Sequence, residues 1–113
     1  MSILRRVHLE RREEYHAGLD RLVHRIRDAL PVQAVYLFGS FARGDIHEGS
    51  DIDLLIVGDF GERFHERIFR VLELNNENLP IEPLCYTPEE LKRMQEEENP
   101  FVAEALRTAK RLA

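Results

Sequence analysis

The chain has 113 residues, 43% of them hydrophobic and 33% charged, which is one domain's worth of core with ample charge to solvate its outside. Disulfide or metal staples are unnecessary, since they are needed only when domains shrink below about 40 residues, and the lone Cys85 fits a reducing, cytoplasmic setting. No run of about 18 apolar residues is available to span a membrane and the N-terminus lacks the apolar stretch of a secretion signal, while a net charge of −5 argues against a broad polynucleotide-binding surface.

In chain order, Ile3 to Leu30 reads as a helix, with Tyr15, Leu19, Leu22, Val23, Ile26 and Leu30 at three- and four-residue steps and Pro31 ending it. Ala34 to Phe38 is a short buried strand closed by Gly39. Ser40 to Arg43 forms a helical turn, and Asp45 to Ser50, with Gly44 before it and Gly49 within it, is a loop. Asp51 to Val57 is a second strand, and Phe60 to Leu74 a helix with Phe64, Ile68, Val71 and Leu72 at helical spacing. Pro80 to Tyr86 is a third strand, which its two prolines assign to a sheet edge or a bulge because proline gives no ladder hydrogen bond. Thr87-Pro88-Glu89-Glu90 starts a short polar helix with a capping box, and Asn99-Pro100 opens a last helix through Leu112. The class is α+β in a single domain over 1–113, a small mixed β-sheet with flanking helices.

Charge is unevenly placed. Residues 1–29 carry seven basic and five acidic side chains, whereas residues 30–59 carry only Arg43 against Asp45, Glu48, Asp51, Asp53 and Asp59. Asp51 and Asp53 belong to an apolar run, where repulsion and desolvation are costly without a compensating cation. As residues i and i+2 of a strand they face one side, about 6–7 Å apart. Magnesium binds through one or two such carboxylates plus substrate phosphates. Gly39-Ser40 at a strand end, leading into a helical turn, would supply those phosphates with backbone N–H groups and a hydroxyl. Each feature also has a structural reading: Ser40 as a cap, the aspartates as a wet strand start, Arg43 as a loop-holding ion pair. His8, His16 and His24 drift about 80° per step around their helix, so they share no metal. Cys85 reads as a small core residue, Asp59 as a turn residue, and Asp45 and Glu48 as solvated loop acids.

Taken together, Gly39-Ser40-Phe41-Ala42-Arg43-Gly44 followed by Ser50-Asp51-Ile52-Asp53-Leu54 resembles the signature of the nucleotidyltransferase superfamily related to DNA polymerase β. The compact length and the segment from Glu98 to Arg111 resemble its minimal nucleotidyltransferases, partners of HEPN toxins. The resemblance implies that Gly39, Ser40, Arg43 and Ser50 bind a nucleoside triphosphate and that Asp51 and Asp53 ligate Mg²⁺. A third carboxylate, Glu82, would complete the metal site or act as base. The implied reaction moves AMP from ATP onto a hydroxyl, a tyrosine of the HEPN-domain partner, which makes the chain an antitoxin. A helical acceptor domain has no room here, so the acceptor, or a second protomer in a homo-oligomer, must finish the site. The alternative is a non-catalytic nucleotide-binding module that neutralises a HEPN ribonuclease by occlusion.

Overall fold

Apolar alternation along the central strands decides the layering. The computed structural model describes residues 3–44 and 51–113, with side chains over 13–44 and 51–113. Strands β1 (Val32–Phe38), β2 (Ile52–Gly58), β3 (Ile81–Tyr86) and β4 (Lys110–Arg111) form one sheet in the order β3-β2-β1-β4. β1 runs antiparallel to both β2 and β4, while β2 and β3 are parallel. The parallel pair needs a crossover, and helix α3 (Phe64–Glu73) provides it. The sheet is therefore mixed, in line with the expected class.

Ile52, Leu54 and Ile56 all point to one face and are fully buried against Leu19, Leu22 and Ile26 of helix α1 (Ile3–Ala29) and Val71 of α3. Each such side chain contributes about 1.5–3 kcal/mol by leaving water. The opposite face carries Phe38 and Leu55, covered by Ala105 of helix α5 (Pro100–Thr108) and Leu91 of helix α4 (Pro88–Glu96). Both short helices start where the capping chemistry predicts. The Thr87 hydroxyl accepts from Glu90 N–H while the Glu90 carboxylate accepts from Thr87 N–H, and Asn99 caps α5 by accepting from Phe101 and Val102.

Two boundaries differ from the sequence reading by four residues, the others by two at most. The last helix stops at Thr108 rather than running to Leu112, because Ala109 is extended and Lys110 and Arg111 pair with Leu37 and Tyr36 of β1. An unpaired β1 edge would leave backbone donors and acceptors without partners, and that demand outweighs the helical spacing of the tail. The crossover helix begins at Phe64, not Phe60; Phe60 instead packs into the core ahead of it. β3 lies at the sheet edge, as its prolines require.

Among the described residues Arg67 of α3 is the one buried charged side chain. Its guanidinium donates to the carbonyls of Glu62 and Cys85 and to the Glu90 carboxylate, and it stacks over the Phe60 ring at 5.6 Å. This side chain ties the crossover helix, the edge strand and the α4 cap together. Arg67→Ala should cost about 2–4 kcal/mol, since charged hydrogen bonds contribute about 1.5–3 kcal/mol each and the Cys85 carbonyl would be left unpaired. Urea unfolding checks this, and a loss below about 1 kcal/mol would contradict the clamp.

Candidate active site

The site is assembled where β1 ends and β2 and β3 begin. Phe38, the last residue of β1, pairs in register with Asp53, and Asp53 pairs with Glu82 on β3. Register thus brings two carboxylates side by side on the face that α5 only partly covers. Asp51 lies just before β2, exposed, two residues from Asp53 on the same side.

The short helix α2 (Gly39–Arg43) carries the glycine–serine pair over this strand end. It is fixed from behind: Phe41 and Ala42 are buried, and the Phe41 ring meets Tyr15 and His16 of α1 at centroid distances of 6.3 and 5.2 Å. Ser40 does not cap α2, because the N-cap position is Phe38 and no side chain bonds there. Gly39 is left-handed, at φ +74°, and a methyl group on it would overlap Oδ2 of Asp53. The residue is glycine for two reasons, backbone conformation and the carboxylate pressed against it. Gly39→Ala should destabilise the fold by about 1–2 kcal/mol through the backbone alone. It should also push Asp53 out of position, seen as weakened Mg·ATP binding by calorimetry; unchanged stability and affinity would refute the close approach.

Asp53 bears the electrostatic cost of this assembly. Its carboxyl is pushed up to about 6, first by burial, then by a hydrogen bond with Glu82, then by the negative charges of Glu82 and Asp51, with Arg43 opposing. Arg43 thus acts on Asp53 and also on Glu104 of α5. At neutral pH the acids form a concentrated negative focus, and a divalent cation is the partner such a donor set suits. Among the described residues no three His, Cys, Asp or Glu side chains form a ready-made metal cage. Mg²⁺ ordinarily takes only one or two protein carboxylates and completes its shell with phosphates and water, so Asp53 with Asp51 fits that mode, and Glu82 stands beside the pair.

Beside the carboxylates opens a cleft of about 480 Å³, with Asp53 and Glu82 in its lining and Phe38, Leu72, Leu84 and Phe101 among its apolar walls. Phe101 stands edge-on to Phe38, centroids 5.9 Å apart at 83°. Phe101 falls at helical spacing with the buried Val102 and Ala105 of α5, yet it is 49% exposed, and Leu72 is 40% exposed. Helical spacing marks both as apolar positions but does not reveal that the stripe overhangs the strand end. The structure brings Gly39, Asp53 and Glu82 together with Asp51 and Arg43 around them. Ser40 follows directly on α2. Ser50, Asp45 and Glu48 lie outside the described residues, as does the His8 side chain. Cys85 is buried in the core, with burial pushing its thiol up to about 12, so it is not a reactive thiolate.

The nucleotidyltransferase domain family model matches residues 19–109 of the chain. A protein of Methanocaldococcus jannaschii that carries the provisional name protein adenylyltransferase is 64% identical over 28 residues, which is 25% of this chain and 28% of that protein's length. A crystal structure of a provisional nucleotidyltransferase from Sulfolobus solfataricus superposes with a TM-score of 0.61 at 25% identity, covering 76% of this chain and 78% of that one. A toxin-antitoxin crystal structure with AMP-PNP superposes with a TM-score of 0.50 at 16% identity, covering 77% and 83%, and at that identity the likeness concerns the fold alone. No described helix is long and apolar enough to cross a membrane.

Proposed function

We propose that this chain, which belongs to the nucleotidyltransferase domain family, transfers AMP from ATP to a tyrosine hydroxyl of a HEPN-domain partner in the cytoplasm and so acts as an antitoxin. The observation that carries the reading is the Asp53–Glu82 carboxyl pair held in register against the left-handed Gly39, because nothing in the packing of a small sheet demands acids there. The family match, the partial match to a protein named as an adenylyltransferase, and a shared fold with a toxin-antitoxin structure support it.

In the reaction the acceptor oxygen attacks the α-phosphorus and a new P–O ester bond forms. The bond from the α-phosphorus to its bridging oxygen breaks, pyrophosphate leaves, and the hydroxyl proton passes to a carboxylate. Asp51 and Asp53 would hold Mg²⁺, which when bound neutralises the triphosphate and stabilises attacking and leaving oxygens. Gly39 lets the chain approach the phosphates closely, Ser40 offers its hydroxyl, and Arg43 adds positive charge on the α2 side. Glu82 is exposed and within hydrogen-bonding reach of Asp53, so an acceptor hydroxyl can meet it and give up its proton there.

The test is the intact mass of a HEPN-domain partner after incubation with the chain, ATP and Mg²⁺. Gain of one or more AMP units is expected. Suppression of the toxin with no change in mass would instead establish the occlusion reading.

A further inference from the structure

We propose that the cleft between α3 and α5 is the acceptor subsite, that it takes a phenolic side chain borne on an apolar segment, and that Phe101 and Leu72 set this preference. The proposal rests on the transferase reading and goes beyond it by assigning where the acceptor lies and what selects it.

Asp53 and Glu82 line the cleft, whereas Gly39, Ser40 and Arg43 do not. The carboxylates therefore separate a phosphate side, at α2, from an apolar side, at the β3 edge. In-line displacement places the attacking and leaving oxygens on opposite sides of the phosphorus, so the side away from α2 is where an acceptor must enter.

The lining then narrows the acceptor. Asp53 and Glu82 are its hydrogen-bonding side chains, and the remaining walls, including Ile68, Leu72, Ile81 and Phe101, are apolar. A phenol matches this division, with one hydroxyl for the carboxylates and a ring for the walls. A sugar or a nucleobase would bury several polar groups against side chains that cannot pair with them. The volume, about 480 Å³, lies within the range of small-molecule sites. Phe101 is held edge-on by Phe38 and keeps half its surface open, which presents a ring to a third aromatic group.

The segment bearing the phenol cannot dock by adding a strand to β3. Pro83 has no N–H, the Ile81 N–H is taken by the Leu79 carbonyl, and the Cys85 carbonyl is taken by Arg67. Recognition falls to side chains, and the half-exposed Leu72 and Phe101, with Phe69 at 59% exposure beside Leu72 on α3, supply apolar area for it.

Amide shift mapping on the ¹⁵N-labelled full chain tests this with three probes: N-acetyltyrosinamide, N-acetylserinamide and Mg²⁺·AMP-PNP. The tyrosine probe should shift the amides of Leu72, Glu82, Leu84 and Phe101, and the serine probe should not. Phe101→Ser and Leu72→Ser, both at half-exposed positions, should each weaken the tyrosine probe about three- to tenfold, the size of one aromatic or aliphatic contact. Nucleotide-induced shifts at Gly39 to Arg43 should stay as in the wild type. A tyrosine probe that binds elsewhere or nowhere, or a serine probe that binds equally well, would overturn the assignment. So would Mg²⁺·AMP-PNP shifting Leu72 and Phe101, which would make the cleft a nucleobase subsite. The transferase reading fails separately, if Mg²⁺·AMP-PNP leaves Gly39 to Arg43 undisturbed.

Discussion

Replacing Asp51 and Asp53 together by asparagine should lower Mg·ATP affinity by roughly 10²–10³-fold, because the loss of both carboxylates removes the ligands that join cation and phosphates and so forfeits several kcal/mol of charge stabilisation. The fold should not suffer. Asp53 is held up at about 6 by burial and by the acids around it, so its ionised form is a burden on the metal-free protein. A carboxyl whose folded value lies above its ordinary 3.8 contributes stability that is fully present below 3.8 and is lost as pH rises through about 6. An asparagine side chain does not titrate, so the single substitution Asp53→Asn should gain stability over the wild type as pH rises from about 4 to about 7, without metal. Urea unfolding across that range measures the gain, and titration calorimetry measures the affinity. A stability difference that does not change with pH would contradict the buried, acid-flanked environment of Asp53, and unchanged Mg·ATP affinity in the double variant would sink the metal assignment.

Much of this site was legible because it depends on local spacing. Asp51 and Asp53 share a face by strand alternation, Gly39 and Ser40 follow a buried strand, and the α4 and α5 starts are written in Thr87, Asn99 and the prolines after them. Register was not legible. That Glu82 stands opposite Asp53, rather than one residue away on the other face, follows from how β3 pairs with β2, and Glu82 is a lone acid in a proline-interrupted strand. The same limit hid β4. Lys110 and Arg111 have no strand signature of their own, and only the open edge of β1 gives them one. Phe101 illustrates a third limit: periodicity identifies an apolar face but not how far that face extends beyond what covers it.

Glu82→Gln should lower AMP transfer to the partner by about 10²–10⁴-fold, the range of general-base catalysis, while leaving partner binding intact. Glutamine is nearly isosteric, and its amide can donate to the Asp53 carboxylate in place of the hydrogen bond that now links Glu82 and Asp53. The substitution removes one of the charges that raise Asp53, so Asp53 should titrate lower and the metal-free protein should be no less stable at neutral pH. Loss of transfer therefore could not be ascribed to misfolding. Three measurements separate the outcomes: intact mass of the partner for transfer, co-elution for binding, and urea unfolding for stability. A variant that transfers as fast as the wild type would keep the enzyme and move the base to another carboxylate, with Asp45 and Glu48 next to test. A variant that fails to bind its partner would make Glu82 a contact residue instead. If the variant binds, folds and no longer transfers, Glu82 is the group to which the acceptor gives its proton, and the parallel register of β2 and β3 is what puts it there.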